Sequence, residues 1–295
     1  MANQSLTVNT NTYSAAKKTP LVNRLTGSLS LIALAVLLVI MLFPFAIITL
    51  NSFKTETEYY ANGPMSLPQS LETTTLTETW ERLEFTTKLW NSIVISVSVS
   101  LLAIGLSLFN AFALGIGKVK GRGFFLVFFL LAITLPNEVL AYPLYYLFRQ
   151  IGLYDTRLSV ILTLATLHTA FGTYLLTSVF STTFPRELIE AAMIDGCNKM
   201  QLLFKVVVPV SMSTLAVLFV FFFIWTWNDF FLPLIFLISN SNQTVPLALA
   251  LLQGQHGMVI TTQSAAAFLG VLPGIIFFIL FQRTLARGVT AGSVK

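Results

Sequence analysis

The chain has 295 residues, of which 55% are hydrophobic and only 10% charged. Soluble domains carry about a quarter charged residues, and together with a mean hydropathy of +0.80 this excludes a large water-facing catalytic domain. The single cysteine, Cys197, rules out an internal disulfide framework, and the formal net charge of +5 matters mainly for where the bases fall along a membrane chain.

Residues 1–27 are rich in Asn, Thr and Ser, carry Lys17, Lys18 and Arg24, and contain no acid. This composition predicts a largely disordered cytoplasmic tail. Six apolar runs follow, each long enough to cross a hydrocarbon core about 30 Å thick as a helix. The first, 28–50, exceeds the apolar region of a secretory signal and has no small-residue cleavage site, so it reads as a retained span. A polar extracytoplasmic segment, 51–90, contains Pro64, Pro68 and a weak helical pattern at Leu76, Trp80 and Leu83, with Trp80 and Trp90 read as interfacial anchors. Five more spans fill a core at 91–282, at 91–117, 123–148, 157–180, 210–239 and 260–282. A cytoplasmic tail, 283–295, closes the chain.

Placing both termini inside assigns three Lys or Arg each to the N-terminal tail, the 118–122 turn, the 181–209 loop and the C-terminal tail, and leaves five outside. That bias supports an all-α membrane protein of six transmembrane helices with both ends cytoplasmic. No internal repeat of the kind that builds paired transporter halves is evident, so the chain reads as one unit that needs a partner to complete a pore.

Segment 181–209 is too long for a tight helix connection. Thr182 or Thr183 can cap a helix, Pro185 suits its first turn, Glu187 and Glu190 favour its positive end, and Gly196 can supply a left-handed stop. A second short helix is expected over 199–207, before Pro209. On the first helix Ala191 and Ala192 leave little side-chain bulk, while Leu188, Ile189 and Met193 offer apolar contact beside an acidic rim. The pattern suits either a docking element or a helix that caps the bundle.

Glu190-Ala191-Ala192, three residues, Gly196, then Pro209 after an apolar stretch resembles the EAA loop of permease subunits in bacterial ABC importers. Asp195 before Gly196 and the ending 204–209 are similar to the carbohydrate-uptake, MalG-like branch. So are Asn91-Ser92, Leu135-Pro136, Tyr142-Pro143-Leu144, Trp227-Asn228-Asp229-Phe230, Pro233-Leu234 and the tail Gly288-Val289-Thr290-Ala291-Gly292. The likeness extends over about 28–295. It implies that Glu187, Glu190, Ala191, Ala192, Met193, Asp195 and Gly196 belong to a cytoplasmic coupling helix docked in a separate ATPase subunit. It also implies a second homologous permease, two ATPase subunits, an extracytoplasmic solute-binding protein and a bacterial cytoplasmic (inner) membrane. ATP and magnesium would sit on the partner ATPase. No Walker A loop occurs here, since Gly117-Lys118 is followed by Val119 and preceded at the required distance by Phe112. The chain is therefore expected to be a non-catalytic transmembrane subunit without a cofactor, forming half of the path for a carbohydrate such as a di- or oligosaccharide, with a polyol or glycerol phosphate as the alternative cargo.

Glu138 and Asp229 fall inside spans at similar depth, where carboxylates are costly and face a bundle interior or a water-filled cavity. With Asn137, Trp227 and Asn228 they make a candidate pathway or gate; the commoner duty is to tie helices together through hydrogen bonds. A stand-alone secondary carrier using both acids as ion or proton relays is the competing class, but it leaves 181–209 without a purpose. The aromatic run 219–223, Trp225 and Trp227 reads as lipid-facing bulk sooner than as sugar-stacking platforms. Small residues repeat every four positions at Ala103, Ser107, Ala111, Gly115 and at Thr262, Ala266, Gly270, Gly274, predicting packing faces within the chain or against a second permease. The uncharged external loop 240–259, with His256, reads as a solvated connector, and the resemblance implies that it meets a binding protein.

Overall fold

The structure, a computed structural model, describes residues 21–117, 119–254 and 259–291. The expectations for 1–20, Lys118, His256 and Gly292 onward lie outside the described residues. The chain divides after Ile47 into two compact units. Among the described residues all regular structure is helical and there is no strand. Helix α1, Leu21–Ser52, keeps Pro44 in its interior, as spanning helices tolerate.

Four helices are long and apolar enough to cross a membrane unbroken: Leu29–Ser52 within α1, α4 (Phe85–Gly115), α7 (Arg157–Thr182) and the Ile260–Thr284 part of α14 (Ile260–Ala291). Two bent pairs raise the number to six if each counts as one span. The third span, expected over 123–148, is bent: α5 (Arg122–Thr134) and α6 (Asn137–Gln150) meet at 92°. The cause is Pro136, whose ring removes an N–H and forces Leu135 to an extended φ/ψ of −70°/125°.

The fifth span, expected over 210–239, is also broken. Helix α11 (Met212–Asn228) stops at Asp229, whose ψ of 125° is extended, and a short α12 (Phe231–Phe236) follows. At its other end α11 turns by 77° from the segment Lys199–Val210. Helix α14 runs on to Ala291, so the described part of 283–295 continues that helix.

In the second unit α4 and α7 pack along most of their length with α11 against α4. Ala103, Ser107 and Ala111 are buried in that seam, so the first small-residue stripe is an intrachain face. A Cβ on Gly172 would meet the Ser107 side chain and lie 3.1 Å from Phe222 Cζ, and one on Gly115 would lie 2.8 Å from Phe180 Cβ. Close approach of the two backbones requires glycine at both positions. The second stripe splits: Ala266 is buried, a Cβ on Gly270 would meet Leu249, and one on Gly274 would meet nothing within 4 Å.

The 51–90 segment folds into α2 (Glu56–Asn62) and α3 (Thr74–Arg82). Leu76 and Leu83 pack with Val245, Leu252 and Leu269, and the Trp80 ring lies tilted against Phe85 with centroids 4.7 Å apart. Lys54 is fully buried, its Nζ donating to Asn51 Oδ1 at 3.0 Å and to the carbonyls of Gly63 and Pro64 at 3.1 and 3.4 Å. These acceptors replace the ammonium's water. The 240–259 loop is not simply a solvated connector either. Helix α13 (Val245–Gln253) buries Val245, Leu247, Ala248 and Leu252.

Polar side chains grip the segment joining α12 to α13. Buried Lys88 donates to Asn240 O at 2.7 Å and pairs with Glu84 at 3.6 Å; Asn91 Nδ2 donates to Ser241 O at 2.7 Å and Gln243 O at 3.0 Å; Val245 N donates to Ser92 Oγ at 2.9 Å. Asp155 receives the backbone N–H groups of Ile238 and Ser239, both at 2.9 Å, and the Ser239 hydroxyl. Glu84 (φ 48°) and Asp155 (φ 58°) are the positive-φ non-glycine residues among those described, and the grip holds both in that sparsely populated region. Partial burial raises the Asp155 pKa, but the hydrogen bonds from Ser239, Asn242 and Ile238 outweigh it and hold the carboxyl below its ordinary value of 3.8.

Two outcomes follow from this packing. Gly172→Leu is expected to destabilise the detergent-solubilised protein by about 1–3 kcal/mol, read as a lowered Tm. Asp155→Asn is expected to lower Tm at pH 7. Because the folded pKa is depressed, the native protein carries this stabilisation above the ordinary carboxylate pKa and loses it as pH falls through the lower folded value. The gap between the two proteins should therefore close only below about pH 4.

Candidate functional site

Two regions collect the residues that the sequence marks. The first is the elbow after α7. Thr182 and Thr183 do not cap the next helix: Thr182 Oγ1 donates back to Ser178 O at 2.8 Å and Thr183 terminates α7. Pro185 stands at the N-cap of α8 (Arg186–Ile194) with no side-chain cap bond. Its extended φ/ψ of −63°/117° starts the helix in a new direction. The stop is as the spacing predicts. Gly196 has φ +77°, and Cys197 N donates back to Ala192 O at 3.0 Å, closing the helix through a left-handed residue.

A second turn opens at once. Asn198 and Gln201 form a reciprocal capping box, both bonds 2.9 Å, at the start of α9 (Lys199–Leu202). The helix expected over 199–207 changes winding at Leu203–Val207, a π turn, before α10 (Val208–Val210). Pro209 has no N–H to give an α-helical bond, and the wider turn accommodates that gap.

The two alanines of α8 have different places. Ala192 is buried in one cluster with Phe184, Leu202, Leu203 and Val207, and Ile189 packs against the same cluster. Ala191, Glu187, Glu190, Asp195 and Gly196 are exposed. Leu188 and Met193 are exposed too, and Ile194 is 86% exposed. Sequence reasoning missed Ile194, although Leu188, Ala191 and Ile194 follow one another at the three-residue spacing of a helix face. The result is a short helix anchored by Ala192 and Ile189, with bare apolar side chains and three acids on its free side.

The second region lies where both broken spans lose their helical backbone. Irregular backbone at membrane depth is tolerated where protein surrounds it or where it lines a cavity. Asp229 Oδ1 accepts from Leu232 N at 3.1 Å, so its carboxylate caps α12. Asn228 Nδ2 donates to Ile224 O at 2.8 Å within its own helix. Glu138, at the first turn of α6, is exposed. Trp227 stacks on Phe223, and Phe223 on Phe277 with centroids only 4.0 Å apart. Phe222 and Phe223 are buried within the chain, so the aromatic run 219–223 is not simply lipid-facing bulk.

Two cavities flank these breaks. One of about 430 Å³ lies between α11 and α14, against Trp227, Asn228 and Gly274. The other, about 170 Å³, is lined by Asn137, His168, Phe171 and Trp225 among others. His168 stacks on Phe222 at 5.2 Å and shares a 3.2 Å hydrogen bond with Thr226. Among the described residues no group of His, Cys, Asp and Glu is placed to hold a metal ion.

A family profile described as "Binding-protein-dependent transport system inner membrane component" matches residues 103–291. The chain is 34% identical over 264 residues, 89% of its length and 94% of the other's, to an inner membrane ABC transporter permease protein, YcjP, of Escherichia coli K12. It is 32% identical over 268 residues, 90% of its length and 95% of the other's, to the arabinooligosaccharides transport system permease protein AraQ of Halalkalibacterium halodurans. Its fold matches a chain of a bacterial ABC transporter involved in the import of the acidic polysaccharide alginate, with a TM-score of 0.76 at 20% identity over 88% of this chain and 96% of that one. The family match covers the α4–α7–α11 seam, the α8 elbow and both helix breaks: the chain belongs to the binding-protein-dependent transport system inner membrane components, the permease subunits of ABC transporters.

Proposed function

We propose that this chain forms half of the translocation pathway of an ATP-driven importer for a carbohydrate, a di- or oligosaccharide. In this reading α8 is the coupling helix, docked in a separate ATPase subunit. A second homologous permease completes the pathway, two ATPase subunits drive it, and an extracytoplasmic binding protein delivers cargo at the outer face of a bacterial cytoplasmic membrane. Both termini are cytoplasmic, as the distribution of Lys and Arg supports. Asn137, Glu138, Trp227, Asn228 and Asp229 line or gate the path at the helix breaks. The chain binds no ATP or magnesium; those belong to the ATPase partner. The sugar class is supported by the arabinooligosaccharide relative.

The observation that carries this reading is α8 itself. Ala192 fixes it to the bundle, while Leu188, Met193 and Ile194 remain exposed. Exposed apolar side chains around a small central residue suit a partner's cleft better than open water. The secondary-carrier alternative draws less support, since Asp229 is engaged in capping α12.

In a Cys197→Ser background, a photoreactive group on Ala191→Cys is expected to capture an ATP-hydrolysing subunit in native membranes. Capture of no such subunit, or labelling of this cysteine from the external side, would overturn the assignment. Ile194→Asp is expected to reduce co-purified ATPase at least about tenfold, with the amount of permease in the membrane unchanged.

A further inference from the structure

The cavity between the α5–α6 break, α7 and α11 has a composition that packing alone does not explain. It measures about 170 Å³, and its lining includes Asn137, His168, Phe171 and Trp225 and no charged side chain. Trp225 and Phe171 meet edge to face at 5.1 Å, and Trp225 meets His168 in the same way at 5.7 Å. His168 is held on two sides, by the Phe222 ring and by Thr226 Oγ1.

Three polar groups on this wall are uncommitted. Among the described residues the Asn137 carboxamide, the Trp225 indole N–H and His168 Nδ1 make no hydrogen bond within the chain, and none is sealed from access in the way that would leave it a buried orphan. A polar group at membrane depth without a protein partner needs another one. Aromatic faces beside several hydroxyl-seeking groups, with no net charge, match a sugar ring, which offers an apolar C–H face and a rim of hydroxyls. An acyl chain would leave all three polar groups unmet, and an ion would find no counter-charge.

We infer that this cavity is a subsite for one neutral sugar ring on this chain, with Trp225 as the stacking face and His168 and Asn137 as hydroxyl partners. The inference rests on the reading of the chain as a carbohydrate permease and assigns part of the recognition to this subunit. The volume lies below the roughly 300 Å³ at which pockets for drug-sized ligands begin. One ring enters, and the remainder of an oligosaccharide lies along the path outside.

The test uses the whole complex in vesicles with saturating binding protein, measuring uptake of radiolabelled maltose, trehalose and arabinotriose and ATP hydrolysis on the same preparation. Trp225→Leu is expected to lower sugar uptake about tenfold while stimulated ATP hydrolysis falls less than about twofold, so that sugar carried per ATP drops. Trp225→Phe restores the ratio, and His168→Leu lowers it as Trp225→Leu does. Ala132→Leu, which fills the cavity without removing a polar group, lowers the same ratio and serves where Trp225→Leu fails to assemble. If uptake and hydrolysis stay unchanged in these variants, or fall in parallel, the cavity is a packing void and the subsite is overturned. If unaltered vesicles import none of the three sugars, the carbohydrate reading fails, and the subsite with it.

Discussion

Inside a hydrocarbon layer an unpaired backbone group costs several kcal/mol, and that penalty decides where this chain can leave the helix. Besides the turn at Ser211, it does so at two places within its spans, at Leu135-Pro136 and at Asp229-Phe230. Each is patched locally. Leu135 N reaches Ala132 O and Val139 N reaches Pro136 O at the first; Asp229 N reaches Thr226 O and its carboxylate takes Leu232 N at the second. The repaired breaks then stand beside the cavities lined by Trp227 and by Trp225. Straight helices packed by small residues would give a closed bundle. The breaks are what open space within it.

The link between α12 and α13 meets the same constraint with charge and hydrogen bonding. The link between α12 and α13 presents a row of carbonyls and N–H groups, and Lys88, Asn91, Ser92 and Asp155 supply their partners. Buried charge is tolerated there because each donor is matched to a backbone acceptor. One short segment is thereby bound to the N-terminal ends of α4 and α7 at once.

The sequence shows the spans because hydropathy acts over some twenty residues, and it shows Gly196 because only a residue free at positive φ ends α8 so sharply. The break in the third span was legible in Leu135-Pro136, since a residue before proline is pushed toward extended backbone, yet hydropathy runs straight through it. The stop at Asp229 is marked only by the polar pair Asn228-Asp229, which hydropathy averages away among the Phe, Trp and Leu residues on both sides. The outer grip was hidden for another reason: Asn91 and Ser241 lie 150 positions apart, and their pairing exists only once α4 and α12 are in place. Asn91-Ser92 could be recognised as a motif but not as a clamp. Lys54 likewise reads as a surface base until Gly63 and Pro64 fold over it. The direction of α8 was legible only in part, since periodicity gives a face without saying which face the bundle takes.

The burial of Ala192 reaches further than its one methyl group suggests. It belongs to a single apolar mass that runs through Phe184, Leu203, Val207, Leu176 and Leu215 to Phe222, and Phe222 carries the imidazole of His168 on its face. The elbow and the innermost rings are thus cast in one piece, like a crank and its shaft. The α8 elbow therefore shares continuous side-chain packing with the wall of the smaller cavity, where His168 sits.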